Sequence, residues 1–277
     1  MRNLLRANFS RLWRDKLFWV MLGGVAALLA AITLNNYIED LRDGYTSTAD
    51  EMLFYTPLML SLAMAAFVPL HLGTEFSDGT IRNKLMVGCR RGSVYLAGFV
   101  TMTAAGWMTM LVGEAAALGL GLALFAAPVL SAKAAFVLLG GAALTVTAFA
   151  ALYTLIAMLV TSRAAASVVC LLLSISMLLG TAYLFSRLSE PEQWDGGFAV
   201  TADGEYVRMD PEPNPNYVSG AKRAAYDFLC DAIPTGQAMS LSSKAVGRGG
   251  RMAGCAGGLI VLCTGAGLIA FRKKDLK

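Results

Sequence analysis

Residues 73–95, GTEFSDGTIRNKLMVGCRRGSVY, form a charged island between two long apolar runs. Four of its residues are basic: Arg82, Lys84, Arg90 and Arg91. An excess of Lys and Arg in a short loop between membrane spans assigns that loop to the cytoplasmic face. A loop that only connects two spans needs a few polar residues, whereas this one carries a helix signal of its own. Ser77 and Asp78 stand where they would cap a helix start. Ile81, Leu85 and Met86 then fall on one face, with Arg82 and Lys84 displaced from it. Gly88 and Gly92 bracket Cys89-Arg90-Arg91 and would end or kink that helix, after which Ser93 can cap the next span. Charge and apolar side chains patterned in this way make a docking surface for a soluble partner.

Working outward, 56% of the residues are hydrophobic and 15% charged, which excludes an ordinary soluble domain. Six apolar runs, 17–34, 53–72, 97–127, 134–160, 165–185 and 252–271, are each long enough to cross a hydrocarbon core of roughly 30 Å. The third and fourth are overlong and should tilt or extend into the interface. Putting the N-terminus inside places 14 of the 23 basic residues in the cytoplasm. The acidic residues run the other way: the segment 35–52 holds Glu39, Asp40, Asp43, Asp50 and Glu51 against Arg42 alone. Arg248 and Arg251, just outside the last span, oppose this orientation, but the balance favours both termini inside. The basic lead and long first apolar run read as a retained span and not as a cleaved signal peptide.

Ahead of that span, residues 1–16 read as an amphipathic elbow helix. Leu4, Leu5, Phe9, Leu12 and Trp13 recur at helical spacing, while Arg2, Arg6, Arg11, Arg14 and Lys16 take other positions. Such a helix suits the bilayer surface, as a topology anchor or as an element close to a partner. Residues 17–185 then hold spans one to five, with 73–93 as the coupling segment.

The long segment 186–251 is the place for a small extracellular subdomain. Residues 198–209, FAVTADGEYVRM, signal a hairpin with Asp203-Gly204 as a type I′ turn. Residues 210–217 read as a Pro-punctuated loop, 221–233 as a short amphipathic helix stopped by Pro234, and 236–246 as a second helical piece. Residues 252–277 complete the chain as the sixth span and a basic tail. Gly250, Gly254 and Gly258 repeat at four-residue spacing near the start of this span, which allows close helix approach, read as packing within the molecule with a subunit interface as the alternative.

The chemistry available is limited. No Lys is followed by Ser or Thr, so the chain lacks the phosphate-binding loop that an ATPase needs. A single histidine, His71, excludes the usual His-rich metal sites and argues against a Ser-His triad. The five cysteines show no metal spacing, and buried apolar thiols are the reading adopted; only Cys230 and Cys255 sit where a disulfide in an oxidising compartment is conceivable. Glu114 is the one acidic residue inside a span, counted to lie toward the outer leaflet. Its expected environment is an outer Arg or the outer interface. With His71, at the cytoplasmic end of the second span, it is the candidate for a substrate or ion pathway.

An amphipathic first helix, six spans, a cytoplasmic helix between spans two and three, and a larger outer region before the last span occur here in that order. This pattern resembles the permease subunits of type-2 ABC exporters over essentially the whole chain. The most specific local match is 75–98, EFSDGTIRNKLMVGCRRGSVYLAG, with its acidic residue, Gly-Thr, basic helix and Tyr-led span. Residues 233–237, IPTGQ, look like the short Pro-Gly element before the last helix. The hairpin and Pro-rich insert at 198–217 depart from the pattern.

The resemblance implies an all-α integral membrane protein in a bacterial plasma membrane, with both termini cytoplasmic. The chain would not itself be an enzyme and would bind no cofactor or metal, ATP and Mg being held by a separate ATPase subunit present in two copies. Glu75, Asp78, Gly79, Thr80, Arg82, Lys84, Arg90 and Arg91 would face that ATPase. Arg6, Phe9, Arg11, Trp13 and Arg14 would form the interfacial helix. A second permease, identical or related, would complete the pore, lipid would surround it, and no nucleic-acid partner is expected. The cargo implied is an amphipathic peptide, lipid or drug-like molecule, the compact size and acidic outer loop being most similar to export and immunity permeases for antimicrobial peptides. Two other readings stay open: an ion-coupled secondary transporter using Glu114, and a non-transporting membrane sensor or immunity protein.

Overall fold

The structure is a computed structural model and describes residues 1–194, 198–200, 206–208, 210–244 and 248–274. It is predominantly helical, with six helices long and apolar enough to cross a membrane.

Helix α1 (Arg2–Arg14) comes first. Asp15 then breaks the chain in extended conformation and caps helix α2 (Lys16–Asp43), its side chain accepting a hydrogen bond from Leu17 N at 2.9 Å. Helix α2 runs nine residues beyond the apolar stretch 17–34, so much of the acidic segment expected to be a loop is helical. It ends where Gly44 turns left-handed, at φ 69°. Helix α3 (Thr56–Ser77) is the axis of the bundle, packed against α2 and the helices that follow, and its buried residues include Leu60, Met64, Val68 and Leu72. Pro57 lies in its first turn, where its missing N–H costs nothing; Pro69 lies inside the helix, fully surrounded by protein.

A short helix α4 (Thr80–Met86) follows, then helix α5 (Arg91–Leu124), helix α6 (Ala132–Leu159) and helix α7 (Arg163–Leu188). Ser131 and Ser162 cap α6 and α7 by accepting from the amides of Ala134 and Ala165. At 34 residues, α5 is about 51 Å long, well beyond a hydrocarbon core. Helices α3 and α7 approach so closely at Gly73 that an added Cβ would lie 2.5 Å from Arg163 Cβ.

Between α7 and the last helix the chain makes two small antiparallel pairings. Strand β1 (Gln193–Trp194) pairs with β4 (Glu212–Pro213), and β2 (Phe198–Val200) pairs with β3 (Tyr206–Arg208). The expected hairpin pairing is present; its Asp203-Gly204 turn lies outside the described residues. Residues 212–213, read as loop, instead form strand β4, and Asn214 beside it fastens the segment: Nδ2 donates to Glu190 Oε2 at 2.8 Å and to Pro191 O at 3.0 Å. Helix α8 (Gly220–Ala232) and helix α9 (Pro234–Ser242) follow, with Pro234 opening α9. Helix α10 (Gly249–Lys273) closes the fold and packs chiefly on α6.

The glycines at 250, 254 and 258 face open space, correcting the packing within the molecule expected of them. The tight approach in α10 is at Gly267, where an added Cβ would lie 2.0 Å from the hydroxyl of the fully buried Tyr95. All five cysteines are free thiols.

Segment 233–237 does more than precede the last helix. Pro234, Thr235, Gly236 and Gln237 are buried among the ends of the long helices. Gln237 Nε2 donates to Asp231 O at 2.8 Å, its Oε1 accepts from Thr145 Oγ1 at 3.2 Å, and Thr235 bonds Thr181 at 2.7 Å. One turn of α9 therefore ties α8, α6 and α7 together at the end of the bundle away from the termini. At the same end, Asp50 is 3% exposed and accepts from Val129 N at 2.9 Å, and Lys244 Nζ pairs with it at 2.7 Å. The backbones of Ser47 and Ala49 also bond Ala126, fastening the α2–α3 connection to the α5–α6 connection.

Candidate functional site

The charged island and the N-terminal helix meet at the end of the bundle that carries both termini. Helix α1 buries Leu12 and Asn8, half-buries Phe9, and leaves Arg6, Trp13 and Arg14 exposed. Its Arg11 reaches the last turn of α3, bonding His71 O at 2.5 Å and the Thr74 hydroxyl, and pairs with Glu75 Oε1 at 2.7 Å. From the other side, Lys84 of α4 pairs with the same Glu75 oxygen at 2.8 Å and donates to Asn8 Oδ1 at 2.9 Å. Glu75 itself is 2% exposed. One buried carboxylate thus holds two cations from two separate helices. Its desolvation is offset by both charges at hydrogen-bond distance.

His71 joins the same assembly. It is buried against Phe67, with ring centroids 5.3 Å apart, and its Nδ1 is hydrogen-bonded to Asp15, the residue that caps α2. His71 and Asp15 therefore fix the α1–α2 corner on α3. His71 and Glu114 lie near opposite ends of the bundle and do not meet.

The helix start expected at Ser77-Asp78 is shifted. Both residues are exposed, Asp78 ends α3, and Gly79 at φ 66° reverses the chain so that α4 begins at Thr80. The physical reason is that α3 continues helically to Ser77, leaving no room for a side-chain cap, and a left-handed glycine makes the turn instead. Helix α4 is only seven residues long and ends before Gly88, whose φ is 89°. Ile81 is consequently buried and Leu85 half-buried, but Met86 turns outward, 69% exposed, beside Val87 at 85%. Ser93 lies inside α5 and does not cap it; Arg90 occupies the cap position without a side-chain bond. Gly92 lies within the first turn of α5, beside Leu268 and Arg272 of α10.

The predicted docking residues thus divide. Arg82 and Arg90 are exposed and flank Met86 and Val87 on the tip. Glu75 and Lys84 are held inside the chain's own network. Arg91 donates to Arg272 O at 3.0 Å and to Lys274 O at 2.5 Å, gathering the end of α10 against α5. Lys274 in turn donates to Met158 O at 2.9 Å and lies 4.2 Å over the Phe76 ring, and burial pushes its ammonium below the ordinary lysine range.

Glu114 departs from expectation. It is 8% exposed and forms no ion pair among the described residues; its Oε2 accepts from Phe54 N at 2.9 Å. At the same end of the bundle, Arg251 bonds Asp231 and Arg248 bonds Asp227. Phe54 has the left-handed φ of 68°, so this bond secures a strained turn immediately before α3.

Sequence reasoning missed Asn8, Asp15 and Thr74 as network members, and the Asp50–Lys244 pair. Asp15 carried a usable signal, an Asp directly before an apolar run. Lys244 and Asp50 are 194 residues apart, and nothing local announces their meeting. The sequence matches no protein-family model, and comparison with curated proteins likewise gives no match.

Proposed function

We propose that this chain is the transmembrane permease subunit of an ABC exporter, driven by a separate ATPase that docks on α4 and α1. The observation that carries the reading is the Glu75 junction: it makes one unit of α1, α4 and the end of α3, with Arg82, Met86, Val87 and Arg90 projecting beyond it. An apolar tip rimmed by arginines suits a cleft with acidic edges on a soluble protein. A push on that tip passes into α3, the buried axis, without an intervening loose joint. In this reading the termini end is cytoplasmic, consistent with the basic residues gathered there. The strand pairs, α8 and α9 then lie outside. Two such motors need two permease halves, supplied by a second copy or a related chain.

The test is mass spectrometry of proteins that copurify with the tagged chain from its native membrane, beside a variant carrying Arg82→Glu and Met86→Glu. A stoichiometric ATPase with a phosphate-binding loop, lost from the variant while the chain stays folded and inserted, is the expected result. Its reproducible absence from the intact chain overturns the reading.

A further inference from the structure

At the end of the bundle away from the termini, α5 and α6 stand apart around Leu53 and Phe54 and leave an apolar cleft of about 360 Å³. Leu111, Leu118, Phe136 and Leu139 form much of its wall, and Glu114 is the one ionisable side chain among the ten residues that line it. Phe136 is 74% exposed and Leu111 51%, so the cleft opens on an apolar part of the helix surface. Glu114 is more than nine-tenths buried there, yet only one of its oxygens is used. Oε2 accepts from Phe54 N and Thr56 lies beside the carboxyl, but Oε1 has no hydrogen-bond partner of good geometry among the described residues. The Thr56 hydroxyl, next to that carboxyl and to Gly113 of α5, likewise has no partner of good geometry among the described residues.

Holding the strained Phe54 turn takes one oxygen of this carboxyl and would be met as well by an amide. A glutamate at this depth therefore has an unspent acceptor and an unspent charge, both costly to keep in an apolar setting. An acceptor-only group with negative charge calls for a cationic donor. The cleft is at the small end of the range of ligand sites, sized for a single apolar body and not for a two-chain lipid.

We propose that this cleft binds an amphiphilic primary amine taken from the bilayer, its ammonium paired with the Glu114 carboxylate and its apolar body lying along Leu111, Leu118, Phe136 and Leu139. Binding here does not depend on an ATPase partner, so the chain alone tests it.

The full chain in phosphatidylcholine nanodiscs is titrated with n-decylamine by calorimetry against empty nanodiscs, with n-decanol as the neutral analogue. Saturable decylamine binding is expected, with decanol at least tenfold weaker. Glu114→Gln keeps an acceptor for Phe54 N and should weaken decylamine at least tenfold at unchanged helicity. Ala135→Phe fills the cleft from α6 and should abolish binding with Glu114 intact, which decides the matter if the Gln variant does not fold. Decanol binding as tightly as decylamine, a Glu114→Gln affinity within twofold of the parent, or undiminished binding to Ala135→Phe would each overturn the proposal. Loss of decylamine binding in nanodiscs containing phosphatidylethanolamine would support the ammonium–carboxylate pairing and name a lipid headgroup as the source of the amine.

Discussion

Replacing Glu75 by Gln removes one negative charge from beneath two cations while leaving shape and volume nearly unchanged. Breaking a buried ion pair by deleting one partner costs about 3–5 kcal/mol. Three features of the structure reduce that figure. Arg11 is 30% exposed at its side chain and keeps its bonds to His71 O and Thr74. Lys84 keeps Asn8 Oδ1. The new amide oxygen still accepts one hydrogen bond, worth about 1 kcal/mol. Starting from the lower bound, the net loss should be about 2 kcal/mol. Equilibrium unfolding in mixed micelles, followed by helical circular dichroism, measures it. A cycle with Lys84→Met isolates the pair and should return a coupling of about 1–2 kcal/mol. Trypsin offers a second readout, since α4 released from Glu75 should be cut faster at Arg82. A loss below about 0.5 kcal/mol with unchanged cleavage would refute the claim that Glu75 joins α1 to α4.

Three further outcomes are expected. Gly73→Ala should cost about 1–3 kcal/mol and loosen the α3–α7 contact, because its Cβ meets the Arg163 backbone side at 2.5–3.0 Å; the same unfolding assay reads it. Burial pushes the Asp50 carboxyl up, but bonds from Lys244, Val129 and Thr48 hold it net below its ordinary 3.8. A depressed carboxylate contributes stability above pH 3.8 that is lost as pH falls through its lower folded value. Asp50→Asn should therefore be less stable at pH 7 and show a flatter acid limb in a pH series of unfolding midpoints. Burial raises the Cys230 thiol to about 11, so at pH 8 only about one molecule in a thousand carries its thiolate, and iodoacetamide should modify the half-buried Cys89 well before Cys230.

The six long helices were legible because each apolar run is continuous and bounded by charge, and membrane-spanning backbone has few alternatives to a helix. Boundaries were less so. Helix α2 overran its apolar stretch because Tyr37, Ile38 and Leu41 continue a helix that composition alone ends at Leu34; the αL residue Gly44 is the real stop. The reading of α4 erred for the opposite reason, since Ser77 and Asp78 have capping side chains but α3 still needs their backbone. Within the charged island, sequence alone could not sort the basic residues. Arg82 and Lys84 are two positions apart and chemically alike, yet one is exposed and the other bound to Glu75 and Asn8. That distinction comes from where α1 lies, and only tertiary packing supplies it. Glu114 was conspicuous as a lone acid, but its partner, a backbone N–H in a left-handed turn sixty residues away, has no sequence signature.

The length of α5 has a mechanical consequence. A rigid rod of about 51 Å that pivots by about 5° moves its tip by about 4 Å. Its foot is clamped beside the island, where Arg91 grips the end of α10, and Gly121 near its head touches the backbone of Ala49. Leverage of that kind turns a small rotation at one membrane face into a displacement of atomic-contact size at the other. The contact at Gly121 has no slack: an added Cβ would already lie 2.5 Å from Ala49 O. Tilting α5 toward that contact must carry the α2–α3 connection with it, so the far end answers as a block and not residue by residue.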